Sequence, residues 1–208
     1  MRWLTFFVFA CAAGGASAET VTICYNYGCQ AEAEARYSAQ QLAQVGALLG
    51  AAQNPADERE RLAPAIGWLL GWAGQQTPIA ADRGGNYADD AVFGRMDCID
   101  HATTTTRLLQ LIEQRGWLQF HQVVAPVRRV RYLFAVHFSA QIEEIRVPAA
   151  DPQATAEPAR FVVDSWFRDN GQPAVVMPLA NWRDGDEPGG APVTLLAGRP
   201  GDDQPRKR

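Results

Sequence analysis

The hydrophobic period of the chain changes once, at Gly116, and that change constrains the fold more than any other feature. Before Gly116, apolar residues recur at helical spacing. The stretch 32–52 is rich in Ala, Gln and Glu, with Tyr37, Leu42, Val45 and Leu49 near one face, and reads as a helix. Asn54-Pro55 breaks it and caps a second helix over 57–73, with Leu62, Ile66, Leu69 and Leu70 inward. Trp68 and Trp72 lie on adjacent turns and read as core packing. A third helix spans 96–117, with Asp97 as its N-cap and Ala102, Leu108, Leu109 and Ile112 on its apolar face. Only a short strand over 21–24 precedes these helices.

After Gly116 the period is two, and 119–124, 128–145 and 161–167 read as strands. Asn170-Gly171 is a hairpin signal, and 174–179 is the returning strand. Within 128–145, Tyr132, Phe134, Val136 and Phe138 form an aromatic face that reads as core. Leu133, Ala135, His137 and Ser139 share the other face. Helices first and an antiparallel sheet second define an α+β fold, with the third helix packed on the sheet.

The start of the chain is Met1-Arg2-Trp3, an apolar run, and small residues ending Ala16-Ser17-Ala18. This is the pattern of a secretory signal peptide over 1–18, cleaved after Ala18. A second reading uses Cys11 as a lipid-attachment cysteine. The expected organisation is a signal over 1–18, one domain over 19–182, and a poorly ordered tail over 183–208 rich in Gly, Pro and charge. Formal net charge is −4; loss of Arg2 with the signal leaves −5. No basic stripe appears, which argues against a nucleic-acid partner. No segment is apolar for long enough to span a bilayer. The expected location is periplasmic or secreted.

Cysteine usage narrows the chemistry. Cys24, Cys29 and Cys98 remain after the signal. Cys24 and Cys29 flank a turn-capable stretch, Tyr25-Asn26-Tyr27-Gly28, and could close a small disulfide in an oxidising compartment. Cys98 is then the odd thiol, either reactive or buried. It lies at the start of the third helix, where partial positive charge and unpaired N–H groups favour thiolate and supply an oxyanion donor. Asp97 and Asp100 oppose this. A thiol nucleophile also needs a base and a group that orients the base. His137 lies on a strand among small neighbours. Asp164 lies within Phe161-Val162-Val163-Asp164-Ser165-Trp166-Phe167, where a carboxylate is costly unless paired. An imidazole on the adjacent strand would satisfy it and fix its tautomer.

Cys on a helix start, His on a strand and Asp on the next strand resemble transglutaminase-like proteins of the papain-like superfamily. Met96-Asp97-Cys98-Ile99-Asp100-His101 resembles their nucleophile motif, and 161–166 their aspartate strand. The similarity covers roughly residues 66–182, and extends to bacterial transglutaminase-like cysteine proteinases. The resemblance implies catalytic roles for Cys98, His137 and Asp164, and a protein or peptide substrate. In the bacterial subfamily the acidic residues flanking the cysteine bind calcium; Ile99 replaces one of them, leaving Asp97 and Asp100 for weak binding. Phe138-Ser139 and Ser165 stand where the family often has Ala-Trp and Pro.

The other histidines give weaker alternatives. His101 shares a helical face with Cys98 but lacks an obvious orienting acid, and reads as packing. His121 is a lesser candidate for the base. Zinc on Cys98, His101 and His137 lacks the usual ligand spacing. Asn86, Tyr87 and Trp72 are candidates for a second oxyanion donor. The reading is an exported thiol hydrolase, a cysteine peptidase or amidase. The alternatives are a non-catalytic binding or assembly module on the same fold and an acyl-transferring enzyme.

Overall fold

The computed structural model describes residues 17–85, 89–145 and 157–186. It opens with a hairpin rather than a strand and a long helix. Strand β1 (Glu19–Tyr25) pairs antiparallel with β2 (Ala31–Tyr37), from Glu19 opposite Tyr37 to Tyr25 opposite Ala31. The expected helix over 32–52 therefore begins late. Ala31-Glu32-Ala33-Glu34-Ala35-Arg36-Tyr37 alternates with period two, and its charged residues face water while Ala35 and Tyr37 are buried. Ala and Glu favour helix only weakly, and pairing with β1 overrides that preference. Ser38 then caps α1 (Ala39–Gly50) in a capping box with Gln41.

Helix α2 (Pro55–Gly74) starts at Asn54, whose side chain accepts from the Asp57 N–H. Pro64 lies inside it. Trp68 is 40% exposed, so only Trp72 of the pair contributes to the core, and it does so partly buried. Helix α3 (Cys98–Gln114) is amphipathic and buries Leu108, Leu109 and Ile112.

The sheet is antiparallel in the order β3 (His121–Arg131), β4 (Ala135–Glu144), β5 (Arg160–Asp164), β6 (Val175–Pro178). Ala140, Ile142 and Val163 meet the main core, which also holds the buried faces of α1, α2 and α3. Val127 and Val162 meet Leu179 and Trp182 of α4 (Leu179–Asp184) in a smaller cluster. Helix α4 continues past residue 182, where the tail was expected to start. Residues 1–16 of the expected signal peptide (1–18) and residues 187–208 of the expected tail (183–208) lie outside the described residues.

The expected strand 128–145 is two strands. A hairpin turn at Tyr132-Leu133-Phe134 separates them, with Tyr132 and Leu133 in the left-handed region (φ 51° and 68°). The aromatic face expected in the core is largely exposed instead: Tyr132 is 72%, Phe134 83% and Val136 40% accessible, and Phe138 is half-buried. The sequence has no Gly, Asn or Asp there to announce a turn.

Helix α2 approaches the backbone before β6 at a glycine. A Cβ at Gly67 would lie 2.7 Å from the Gln172 carbonyl oxygen. Gly67→Ala should therefore lose about 1–3 kcal/mol by overpacking, despite the roughly 1 kcal/mol that alanine gains in a helix interior. Gly50 at the end of α1 faces open space. Gly50→Ala should be neutral or slightly stabilising, and thermal melts of the two variants would check the contrast.

Candidate active site

The start of α3 is built from two carboxylates. Asp97, the N-cap, accepts from the N–H groups of Ile99 (3.0 Å) and Asp100 (2.9 Å). Asp100 accepts in return from the Asp97 N–H at 3.2 Å. Their remaining acceptor sites meet the β1–β2 turn. The Gly28 N–H donates to Asp97 at 3.0 Å, and those of Tyr27 and Cys29 donate to Asp100 at 2.8 and 2.5 Å. Asn26, Tyr27, Gly28 and Cys29 all have positive φ, and a Cys24–Cys29 disulfide closes the turn. Successive N–H groups in such a turn form an anion-binding nest.

Each oxygen of Asp97 and Asp100 accepts at least one backbone N–H. Calcium takes about six to eight oxygens, and among the described residues no third acidic side chain gathers with these two, a poor fit for calcium. Ligand atoms of Cys24, Cys29 and Asp100 lie within 4.8 Å of one another, but the two sulfurs are bonded to each other. Burial pushes the Asp100 carboxyl up to about 6; the negative charge of Asp97 adds to the rise, and the N–H donors oppose it.

Cys98 is the first residue of α3, free and half-buried. Burial raises its pKa above that of an ordinary thiol, and the charges of Asp97 and Asp164 raise it further. The backbone N–H groups of Phe138 and of Cys98 itself pull the other way. The helix start thus does not yield a resting thiolate as the sequence suggested; desolvation outweighs it. The contact with Phe138 brings the sulfur against the residue that follows His137.

His137 projects from β4, and its Nε2 lies 2.8 Å from Asp164 Oδ2. The same oxygen accepts the Trp182 indole N–H at 3.0 Å, and Oδ1 accepts the Trp166 N–H at 3.2 Å. Indole N–H is only a donor, so Oδ2 acts as an acceptor. That assigns the proton of the His137–Asp164 bond to Nε2 and leaves Nδ1 as the basic nitrogen. The ring sits among Trp166, Phe167 and Trp182, with centroids at 4.8, 5.5 and 5.6 Å. Among the described residues, no hydrogen bond joins the Cys98 sulfur to His137. The structure thus brings His137 and Asp164 into direct contact and leaves Cys98 as a separate thiol, its sulfur against Phe138.

Trp182 went unread in the sequence because it stands at the edge of a polar tail. Arg129 fixes it: the guanidinium donates to the Trp182 carbonyl and lies 4.6 Å from its ring centre. Arg129 is the register partner of His137 across β3–β4, a pairing that reading 128–145 as one strand conceals.

The two remaining histidines have other work. His101 does have an acid: its Nε2 lies 3.1 Å from Asp82, and its Nδ1 lies 2.8 Å from the Ser165 hydroxyl, which also meets Thr105 at 2.8 Å. Asp82 accepts the Met96 N–H as well. All four side chains are buried, and they tie α3 to the residue after Asp164. His121 bonds Glu58 at 2.6 Å with both side chains fully buried, joining β3 to α2. With both His101 nitrogens so placed, Cys98, His101 and His137 do not assemble as zinc ligands. Asn86 and Tyr87 lie outside the described residues, and Trp72 stacks on Trp68 along α2. The chain matches no family model, no curated protein and no solved structure.

Trp182→Phe keeps a ring but removes the N–H from Asp164, and should cost about 1–3 kcal/mol, read by urea melts. Asp100 gives a pH signature. Its folded pKa lies above the roughly 3.9 of an unfolded aspartate, so its contribution favours folding at low pH and is lost as pH rises from about 4 through about 6. The stability of the protein minus that of Asp100→Asn should fall across this window.

Proposed function

We propose that the protein is an exported thiol hydrolase acting on peptide or amide bonds, with Cys98 as nucleophile, His137 as general base and acid, and Asp164 as the group that orients His137. The observation that carries the reading is the His137–Asp164 bond beside a free thiol at a helix start. The finer fold assignment belongs to the same proposal: a transglutaminase-like core, supported by the order of helix-borne Cys, strand-borne His and strand-borne Asp. Export is supported by the Cys24–Cys29 disulfide. Among the described residues, no helix is long and apolar enough to cross a membrane.

In this mechanism the Cys98 proton passes to His137 Nδ1 as the sulfur attacks the carbonyl carbon. The resulting oxyanion is met by the Cys98 N–H. Collapse breaks the C–N bond, and the leaving amine takes the proton from His137, leaving a thioester. Water then gives a proton to His137 and attacks the thioester; the acid leaves and the proton returns to sulfur. An amine in place of water would give acyl transfer by the same steps. Asp164, held by Trp182 and Trp166, stabilises the imidazolium without leaving its place.

One observation favours a second reading, a binding or assembly module: the sulfur and the imidazole share no hydrogen bond at rest. Alkylation separates the two. Under the hydrolase reading, iodoacetamide at neutral pH labels Cys98 faster than a simple thiol of comparable pKa, and His137→Ala slows labelling by about tenfold or more. Labelling at the rate of such a thiol, unchanged in His137→Ala, would leave the module reading.

A further inference from the structure

The outer side of His137 opens into a cavity of about 400 Å³, walled by Arg129, Arg131, Tyr132, Phe134 and Val136 of the β3–β4 hairpin. Two features of this cavity bear on what it could hold. The first is charge. Arg131 donates to the Gly185 carbonyl (3.1 Å) and the Tyr132 hydroxyl (3.2 Å), and its guanidinium lies 5.0 Å from the Tyr132 ring centre. Among the described residues, no carboxylate pairs with it. Elsewhere, Arg59, Arg107 and Arg115 each meet a glutamate. In a chain with net charge −4, Arg131 thus brings to the cavity next to His137 a guanidinium that no carboxylate pairs among the described residues. The second feature is apolar surface. Tyr132 and Phe134 are 72% and 83% accessible at its rim, and Val136 is 40% accessible.

We infer that this cavity is the substrate subsite of the proposed hydrolase, and that it takes a peptide segment carrying a carboxylate beside an aromatic or branched aliphatic side chain. The inference rests on the Cys98–His137 reading for its location. A guanidinium whose partners are a carbonyl and a phenol keeps N–H capacity for a carboxylate. A half-enclosed site strengthens that attraction relative to open water. The exposed rings supply apolar contact for the neighbouring residue of the segment. Arg131 reaches the site because β3 and β4 pair there, with Arg129 opposite His137 and Arg131 opposite Ala135. The charge therefore sits two residues along the hairpin from the base. Exposed apolar residues and cations on a hairpin tip also suit an anionic membrane surface; the carboxylate is preferred because the guanidinium lines a cavity shared with His137.

Iodoacetate and iodoacetamide test this directly, because they differ in one negative charge. Each forms the S–C bond to Cys98 as the C–I bond breaks and iodide leaves. The ratio of the two labelling rates, referred to the same ratio for β-mercaptoethanol, reads the charge of the site. The expected ratio favours iodoacetate and falls about fivefold in Arg131→Gln, as loss of one nearby charge through an intermediate dielectric would give. Arg131→Lys should keep most of the preference, which separates charge from a folding defect. Competition against iodoacetate distinguishes the carboxylate's source. Acetyl-Glu-Phe-amide protecting better than acetyl-Gln-Phe-amide marks a side chain; acetyl-Gln-Phe acid protecting best marks a chain terminus. A ratio equal in the wild type and Arg131→Gln overturns the subsite, as does protection by anionic vesicles but by neither acidic peptide. Slow iodoacetamide labelling insensitive to His137→Ala defeats the hydrolase reading instead. The ratio still decides the subsite in that case, since any thiol reports it.

Discussion

The start of α3 depends on a turn that the chain adopts at a cost. Four consecutive residues from Asn26 to Cys29 have positive φ, and three of them are not glycine. Left-handed backbone costs an ordinary residue about 1–2 kcal/mol. Two interactions offset this. The Cys24–Cys29 bond limits the freedom of the unfolded turn, and the turn's N–H groups converge on Asp97 and Asp100. The same two carboxylates cap α3, so the strained turn and the helix start stabilise each other. Cys98 stands one residue past that cap. Its position in the fold is therefore set by β1 and β2, far away in sequence, as much as by its own helix.

All three histidines of the chain contact a buried acid: His101 with Asp82, His121 with Glu58, and His137 with Asp164. A buried carboxylate without a partner is costly, so each pair fastens two elements. Geometry separates them. His121 is sealed between α2 and β3, and His101 is buried with its Nδ1 bonded to Ser165 and its Nε2 3.1 Å from Asp82. His137 lines a cavity while its Nε2 side is held by Asp164. Its box of indole and phenyl rings restricts the imidazole to one plane, and Arg129 holds the box by clamping Trp182. An acid–histidine pair is thus a common structural device in this fold, and a place on a cavity wall is what distinguishes the pair the proposed chemistry uses.

What the sequence revealed and what it concealed follow from the range of the forces involved. The α+β order and α3 were legible because apolar periodicity is local. Asp164 was legible because a carboxylate in an apolar strand demands a partner. Strand β2 was misread because alternating Ala and Glu suit helix and strand alike, and only pairing with β1 decides between them. The hairpin at Tyr132 was invisible because two left-handed residues there are Tyr and Leu, held by strand pairing on either side. Asp82 as the partner of His101, and Trp182 as a donor to Asp164, come from loops and termini with no periodic signal. Each was settled by contacts between residues distant in sequence.

The resting thiol has a consistent place in the proposed chemistry. Thiolate, not thiol, is the species that oxidants consume and that attacks disulfides. In an oxidising compartment a permanently ionised Cys98 would be lost to oxidation or to exchange with the neighbouring disulfide. Burial and the charges of Asp97 and Asp164 keep it protonated, with its sulfur against Phe138 rather than on the imidazole. Rotation of one side-chain torsion between staggered wells changes where the sulfur points. A substrate carbonyl seated at the α3 start would supply the reason to rotate, because the attacking sulfur gains the carbon as His137 gains the proton. The absence of a sulfur–imidazole bond at rest and the presence of an oriented base beside it are then two halves of one arrangement, in which nucleophile and base meet only when there is a bond to attack.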